Sequence, residues 1–248
     1  MSTLVLALIA GAAIGTALGA LGGGGSVLAV PALIYLLGFS PASATTAALI
    51  IVAATSAIAL YAHARDGDVA WRTGTLFALA GIGPAFLAGT AAGRLPAAML
   101  TGAFSVVAAL AALRMLRPAG SEPAGRVRPA KAAGAGAGLG AVTGFLGVGG
   151  GFLAVPALVG VVGLRMKQAV GTSLLVISVN SLAALAARTG AGGDELRWEV
   201  IAPFAGAAIL GAWDGKRLAS RITGQALQRV FAFVLLAVAA VMLIDVVV

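Results

Sequence analysis

"LGGGGSVLAVPALIYLLG", residues 21–38, sets four consecutive glycines in front of a short apolar run that carries a proline. Glycine and proline are the two poorest helix formers, so a hydrophobic segment is being interrupted here rather than continued. The interruption recurs at residues 147–163, "GVGGGFLAVPALVGVVG". How this pair is read decides the fold.

The surroundings are those of a membrane protein. Of 248 residues, 60% are hydrophobic and 10% charged, where a soluble domain carries about a quarter charged residues. Mean hydropathy is +1.07. Residues 3–64 and 132–164 contain no Asp, Glu, Lys or Arg, and each run exceeds the roughly 20 residues that cross a bilayer. The net charge of +8 is not gathered in one patch; basic residues lie between apolar segments. They read as membrane-orienting anchors, and nucleic acid is not expected as a partner. The absence of cysteine removes disulfides, thiolate chemistry and Cys-ligated metals. The first 20 residues lack the basic start of a signal peptide and read as a first span.

Apolar runs bounded by glycine, proline or charge define ten segments: 3–21, 24–38, 42–63, 74–93, 97–116, 132–147, 150–164, 168–188, 199–215 and 225–246. The polar, Pro/Gly-rich "RPAGSEPAGRVRPAK" (117–131) divides them into two fives, 1–116 and 132–248. Set without gaps, residues 22–63 match 147–188 at 16 of 42 positions, including "LAVPAL" at 28–33 and 153–158. Gly38 falls on Gly163, Ala44 on Ala169 and Ser56 on Ser181. More weakly, Gly89 and Gly93 fall on Gly211 and Gly215, and Phe104 on Phe231.

Five segments is an odd number, so two such repeats are expected to lie inverted in the membrane. With the N-terminus outside, 13 of the 16 Lys and Arg fall inside, and only Arg94, Arg188 and Arg197 fall outside. If the glycine-led segments did not cross, the best split would be 9 to 7. The sequence therefore predicts an all-α polytopic protein of about ten segments in two inverted repeats, with both termini outside and 117–131 cytoplasmic.

Short, glycine-interrupted segments at matching places in inverted repeats point to a transporter substrate site. A helix N-terminus carries unpaired N–H groups and about half a positive charge, and glycine lets a ligand come close to them. At about 1.5 Å per residue, Gly25 and the pair Thr55 and Ser56 reach a common depth roughly 5 Å past the midplane. Gly150, Asn180 and Ser181 reach the matching depth on the other side. The expected substrate-binding residues are Gly23, Gly24, Gly25, Ser26, Thr55, Ser56, Gly149, Gly150, Gly151, Asn180 and Ser181. Close helix packing is the alternative role for glycine and the better one for any isolated glycine among the 36.

The glycine cluster followed by "VLAVPAL" and "FLAVPAL", repeated on both sides of a basic central loop, resembles the TauE/SafE family of membrane permeases. That resemblance implies export of a small, often sulfur-containing anion such as sulfite or an organosulfonate across a bacterial inner membrane. The halves differ at Ser26/Gly151 and Thr55/Asn180, so the two half-sites are not expected to bind identically.

Other chemistry finds no footing. "LGGGGSV" lacks the lysine of a phosphate-binding loop, and "GVGGGF" follows a helix rather than a strand. No catalytic residue, metal site or cofactor is expected. His63, beside Arg65 and Asp66, reads as an interfacial structural residue, with gating or proton transfer as the sharper role. Asp214 is expected to pair with Lys216 or Arg217. Trp71, Trp198 and Trp213 read as interface belt. No Lys or Arg falls at mid-depth, so backbone dipoles and hydroxyls would meet the anion's charge. An anion leaving a negative-inside cell gains about 2.3 kcal/mol per charge per 100 mV, so export needs no coupled ion. The expected function is an anion exporter working by alternating access; an anion channel and a membrane scaffold without substrate are the rival readings.

Overall fold

The computed structural model describes residues 2–22, 24–92, 97–116, 129–146, 151–188 and 196–247. Its elements are α1 (Ser2–Leu21), α2 (Gly24–Pro31, prolonged by a π-helical turn Ala32–Leu36), α3 (Pro41–Arg65), α4 (Trp71–Ala92), α5 (Ala97–Leu116), α6 (Pro129–Leu146), α7 (Gly151–Gly160), α8 (Met166–Arg188), α9 (Trp198–Ser220) and α10 (Gly224–Val247). Each falls on one of the ten apolar segments, and the described residues form no strand. By length and composition alone, four stretches suffice to cross a bilayer: Thr3–Leu21, Ser43–Arg65, Met166–Ala186 and Gly224–Val241. Large apolar side chains such as Ile9, Leu79, Phe86, Leu210 and Phe233 stand exposed on the outer surface. A soluble protein would bury them, whereas hydrocarbon solvates them. The chain is a polytopic all-α membrane protein.

The two glycine-led helices end alike. Gly38 and Gly163 adopt φ of 63° and 79°, a left-handed conformation that glycine takes without steric cost. Just beyond them Phe39 N–H donates to the Leu33 carbonyl at 3.0 Å, and Leu164 N–H to the Leu158 carbonyl at 2.9 Å. Gly38 and Gly163 are equivalent in the sequence match, as are Leu33 and Leu158. The one local difference is the π turn, which follows Pro31 but not Pro156. α3 then starts on a Ser40 cap, whose hydroxyl oxygen accepts from Ser43 N–H at 3.3 Å, with Pro41 at the first helical position.

Packing joins one half to the other. α1 lies on α9 and α4 on α6; α3 crosses α8, α5 lies on α10, and α2 touches α7. Exchanging each helix for the one five places on carries α1–α9 onto α4–α6 and α3–α9 onto α4–α8, and leaves α3–α8, α5–α10 and α2–α7 unchanged.

Small residues make the tightest contacts. A Cβ at Gly11, Gly15 or Gly19 would overlap the carbonyl oxygens of Phe204, Ala208 and Ala212 respectively, so α1 and α9 run parallel with their backbones touching. Gly136 meets the Phe77 carbonyl and Gly140 the Gly81 carbonyl, so α6 and α4 run parallel too. α3 runs antiparallel to α8: Ser56 meets Ser178, while further along α3 the His63 Cβ lies beside Gly171.

These contacts correct one detail of the sequence match. Gly11 and Gly15 correspond to Gly136 and Gly140, so their partners Phe204 and Ala208 correspond to Phe77 and Gly81. The true register of α4 against α9 thus differs by five residues from the one that sets Gly89 on Gly211. In helices with a small residue at every turn, several registers score alike.

Candidate functional site

The α3–α8 crossing is the polar centre of the bundle. Ser56 Oγ and Ser178 Oγ lie 2.9 Å apart, both buried. Exchanging residues 125 apart, as Leu28 is from Leu153, carries this pair onto Ala53 and Ser181. The crossing is therefore centred beside Thr55 and Asn180. Thr55 and Ser181 are buried and Asn180 is half-buried; the depth count set the α3 and α8 residues on opposite sides of the midplane, whereas the crossing brings them to one level.

A hydroxyl has one proton to give, and here most are already given. Ser178 donates to the Leu174 carbonyl at 2.8 Å, which leaves its oxygen to accept from Ser56. Thr55 donates back along its own helix to the Ile51 carbonyl. Ser173, a turn and a half from Ser178, donates to the Val170 carbonyl at 2.7 Å. Ser56 was expected to donate to a substrate; in this conformation its hydroxyl is held by Ser178, a residue that comparing the two halves could not single out because its counterpart is Ala53. A polar run at 178, 180 and 181 on one helix was the available signal.

The first glycine-led helix begins alongside α8. Gly22 turns the chain at φ 67°, its N–H donating to the Leu18 carbonyl at 2.8 Å, and a Cβ there would overlap Ser173 Oγ. α2 thus begins level with Ser173, about 7–8 Å along α8 from Ser178. Gly24, Gly25 and Ser26 are its first residues, and Gly151 is the first residue of α7. Gly23, Gly149 and Gly150 lie outside the described residues, as do residues 117–128 of the central linker. With 10 residues, α7 is about 15 Å long, half the thickness of a hydrocarbon core.

Each end of the bundle is tied. At one end Arg197 Nη2 donates to the Leu37 carbonyl at 2.6 Å while its guanidinium lies 4.1 Å from the Phe39 ring centroid, joining α9 to the turn after α2. At the other end, His63 is buried, with Nε2 donating to the Gly19 carbonyl at 3.2 Å. Beside it Lys216 donates to the Ala62 carbonyl and pairs with Asp66 at 2.7 Å. That hydrogen-bonded ammonium holds the Asp66 carboxyl below the ordinary carboxylate range. Across the same end, Ala70 N–H donates to Thr172 Oγ1 at 3.0 Å, tying the α3–α4 turn to α8. Asp214 pairs with Arg217 at 3.8 Å in full exposure, one of the two partners expected of it. Trp71 and Trp198 stand exposed at the starts of α4 and α9, and Trp213 is exposed further along α9. Among the described residues no group of His, Asp or Glu is arranged to hold a metal ion.

Comparison with known proteins adds what geometry alone does not. The family described as "Sulfite exporter TauE/SafE" matches residues 7–242. Two proteins of Xylella fastidiosa, from strains Temecula1 and 9a5c, are each named "Probable membrane transporter protein". Each is 34% identical over 248 residues, covering 96% of this chain and 94% of that protein. No solved structure matches.

Proposed function

Because the chain belongs to the sulfite exporter TauE/SafE family, we propose that this membrane transporter exports a small anion, sulfite or an organosulfonate, by alternating access between two inverted five-helix repeats. The repeats are residues 1–116 and 132–248, in a bacterial inner membrane with both termini outside and 117–131 in the cytoplasm. The observation that carries the reading is direction. Ten crossings make α3 antiparallel to α8 and parallel to α9, whereas crossing counts that omit α2 and α7 reverse both relations. The α3–α8 contacts run antiparallel; the turn leading into α3 meets the start of α9 at Phe39–Arg197, and α3 meets α9 again at Ala62–Lys216, in parallel order. The exchange-symmetric helix pairing supports the same reading.

The anion is held at the α3–α8 crossing between the N-termini of α2 and α7. If α7 begins against Ala48, the counterpart of Ser173, the two N-termini lie on opposite sides of that crossing. Their N–H groups and the half-buried Asn180 amide are the donors, with Gly23–Gly25 and Gly149–Gly151 leaving the approach open. Ser181, next to Asn180 on α8, is a further donor, whereas Ser56 and Thr55 form the wall, since their protons are committed. Among the described residues no fixed cation sits there, which favours release, and the membrane potential drives the anion out.

Reconstituted protein loaded with sulfite is expected to give saturable flux that accelerates when unlabelled sulfite is present on the far side. Ohmic single-channel currents would make it a channel. A purified protein whose melting temperature shifts with no anion among sulfite, sulfonates, sulfate, thiosulfate and carboxylates would be a scaffold.

A further inference from the structure

Away from the crossing, α5, α6 and α7 enclose an open groove of about 730 Å³ on the outer surface of the bundle. Its walls are aliphatic, with Leu110, Leu139, Val142, Leu153 and Val161 prominent, and Leu110 and Val161 are more than half exposed. One lining residue is ionised: Arg114, in the last turn of α5. Gln228, at the start of α10, closes that end by donating to the Met115 carbonyl at 2.6 Å. Among the described residues no carboxylate lies within ion-pair distance of Arg114. The floor is open because two glycines line it: a Cβ at Gly138 or Gly160 would meet nothing within 4 Å. The position equivalent to Gly160 in the other half is Tyr35.

We propose that this groove seats an acyl chain of an anionic phospholipid, with the lipid phosphate held by Arg114. The occupant follows from three features taken together. The groove faces hydrocarbon, so an acyl chain is the molecule present to fill it. Its volume falls within the range of about 300–1,000 Å³ typical of small-molecule sites. Its single charge stands at a helix end, the level of lipid headgroups, and a guanidinium bonds a phosphate through paired N–H donors. A guanidinium with no carboxylate partner among the described residues is costly at the edge of hydrocarbon, and a zwitterionic headgroup neutralises it less completely than an anionic one.

The test uses the purified full-length chain in detergent, offered equal amounts of phosphatidylglycerol and phosphatidylcholine with identical acyl chains, with retained lipid counted by native mass spectrometry. The wild type is expected to favour phosphatidylglycerol about fivefold, the effect of one basic side chain at a membrane surface. Arg114→Gln is expected to bring the two lipids to parity, and Gly160→Phe to lower retention of both. Gly160→Phe points into open space and should leave the melting temperature in lipid-free detergent unchanged. Parity in the wild type, a preference that survives Arg114→Gln, or retention untouched by Gly160→Phe would overturn the proposal. So would a dimer mass that is lost in Gly160→Phe while lipid binding stays the same, because the groove would then hold a second copy of the chain.

Discussion

Ser178 and Asn180 sit two residues apart on α8 and play opposite parts. Ser178 spends its hydroxyl on the Leu174 carbonyl and holds Ser56 across the crossing, a closed arrangement that binds helix to helix. Asn180, two residues on and half-buried, is the side chain proposed to meet the anion. Asn180→Ala is accordingly expected to weaken sulfite binding by about 1.5–3 kcal/mol, the range for a hydrogen bond to a charged group, with little change in melting temperature. Isothermal titration together with thermal melting separates the two effects; normal binding with a lowered melting point would make Asn180 structural. For Ser56→Ala, Ser178→Ala and the double variant, a thermodynamic cycle is expected to return a coupling of about 1 kcal/mol in stability. The Lys216–Asp66 pair makes a pH prediction. Asp66 has a lowered value in the folded chain, so its contribution is full above the ordinary aspartate value and fades only as pH falls through the lower, paired value. Because Asp66 is half exposed, that contribution is small. Melting of the wild type and of Asp66→Asn is expected to differ by a constant amount between pH 5 and 8 and to converge below pH 4. At this scale the sequence disclosed that α3 and α8 carry equivalent polar residues near mid-membrane, because helical rise is regular, but not that the two sets meet at one crossing. It did not disclose which hydroxyls were already spent, since Ser178 has an alanine as its counterpart and its partner lies on another helix.

Two kinds of glycine are distinguished among the elements. Those of α1 and α9 are contact surfaces: a side chain at Gly15 would drive into the Ala208 backbone, which has no rotamer with which to yield. Gly15→Leu is expected to prevent α1 and α9 from closing and to remove the monodisperse peak in size-exclusion chromatography. Gly25→Val and Gly150→Val are expected to insert and purify normally while transport is abolished, because the β-branched side chain shields the N–H groups at the start of α2 or α7. Normal transport by both would return these clusters to packing. The sequence announced the ends of α2 and α7 clearly, since Gly38 and Gly163 are required where the chain turns left-handed. The register of α4 against α9 was not legible in the same way. Helices this dense in glycine and alanine set small residues on small residues at more than one shift, and only the partner helix fixes which match is real.

For the whole molecule, the account stands on the two halves being upside down relative to each other. In the sequence it rests on the charge asymmetry of 13 to 3, because Lys and Arg are retained on the cytoplasmic side whatever the helices between them do. The pairing of helices across the halves, by contrast, has no signature in a single sequence. The native chain has no cysteine, so one introduced thiol reports one position. Ser40 and Arg165 are equivalent by sequence, 125 residues apart as Leu28 is from Leu153, and both are exposed in the turns that follow α2 and α7. In intact cells, Ser40→Cys is predicted to react with a membrane-impermeant maleimide, and Arg165→Cys to react only after the membrane is opened. Labelling of both from the same side would contradict the inverted arrangement and, with it, the placing of the anion between opposed helix N-termini.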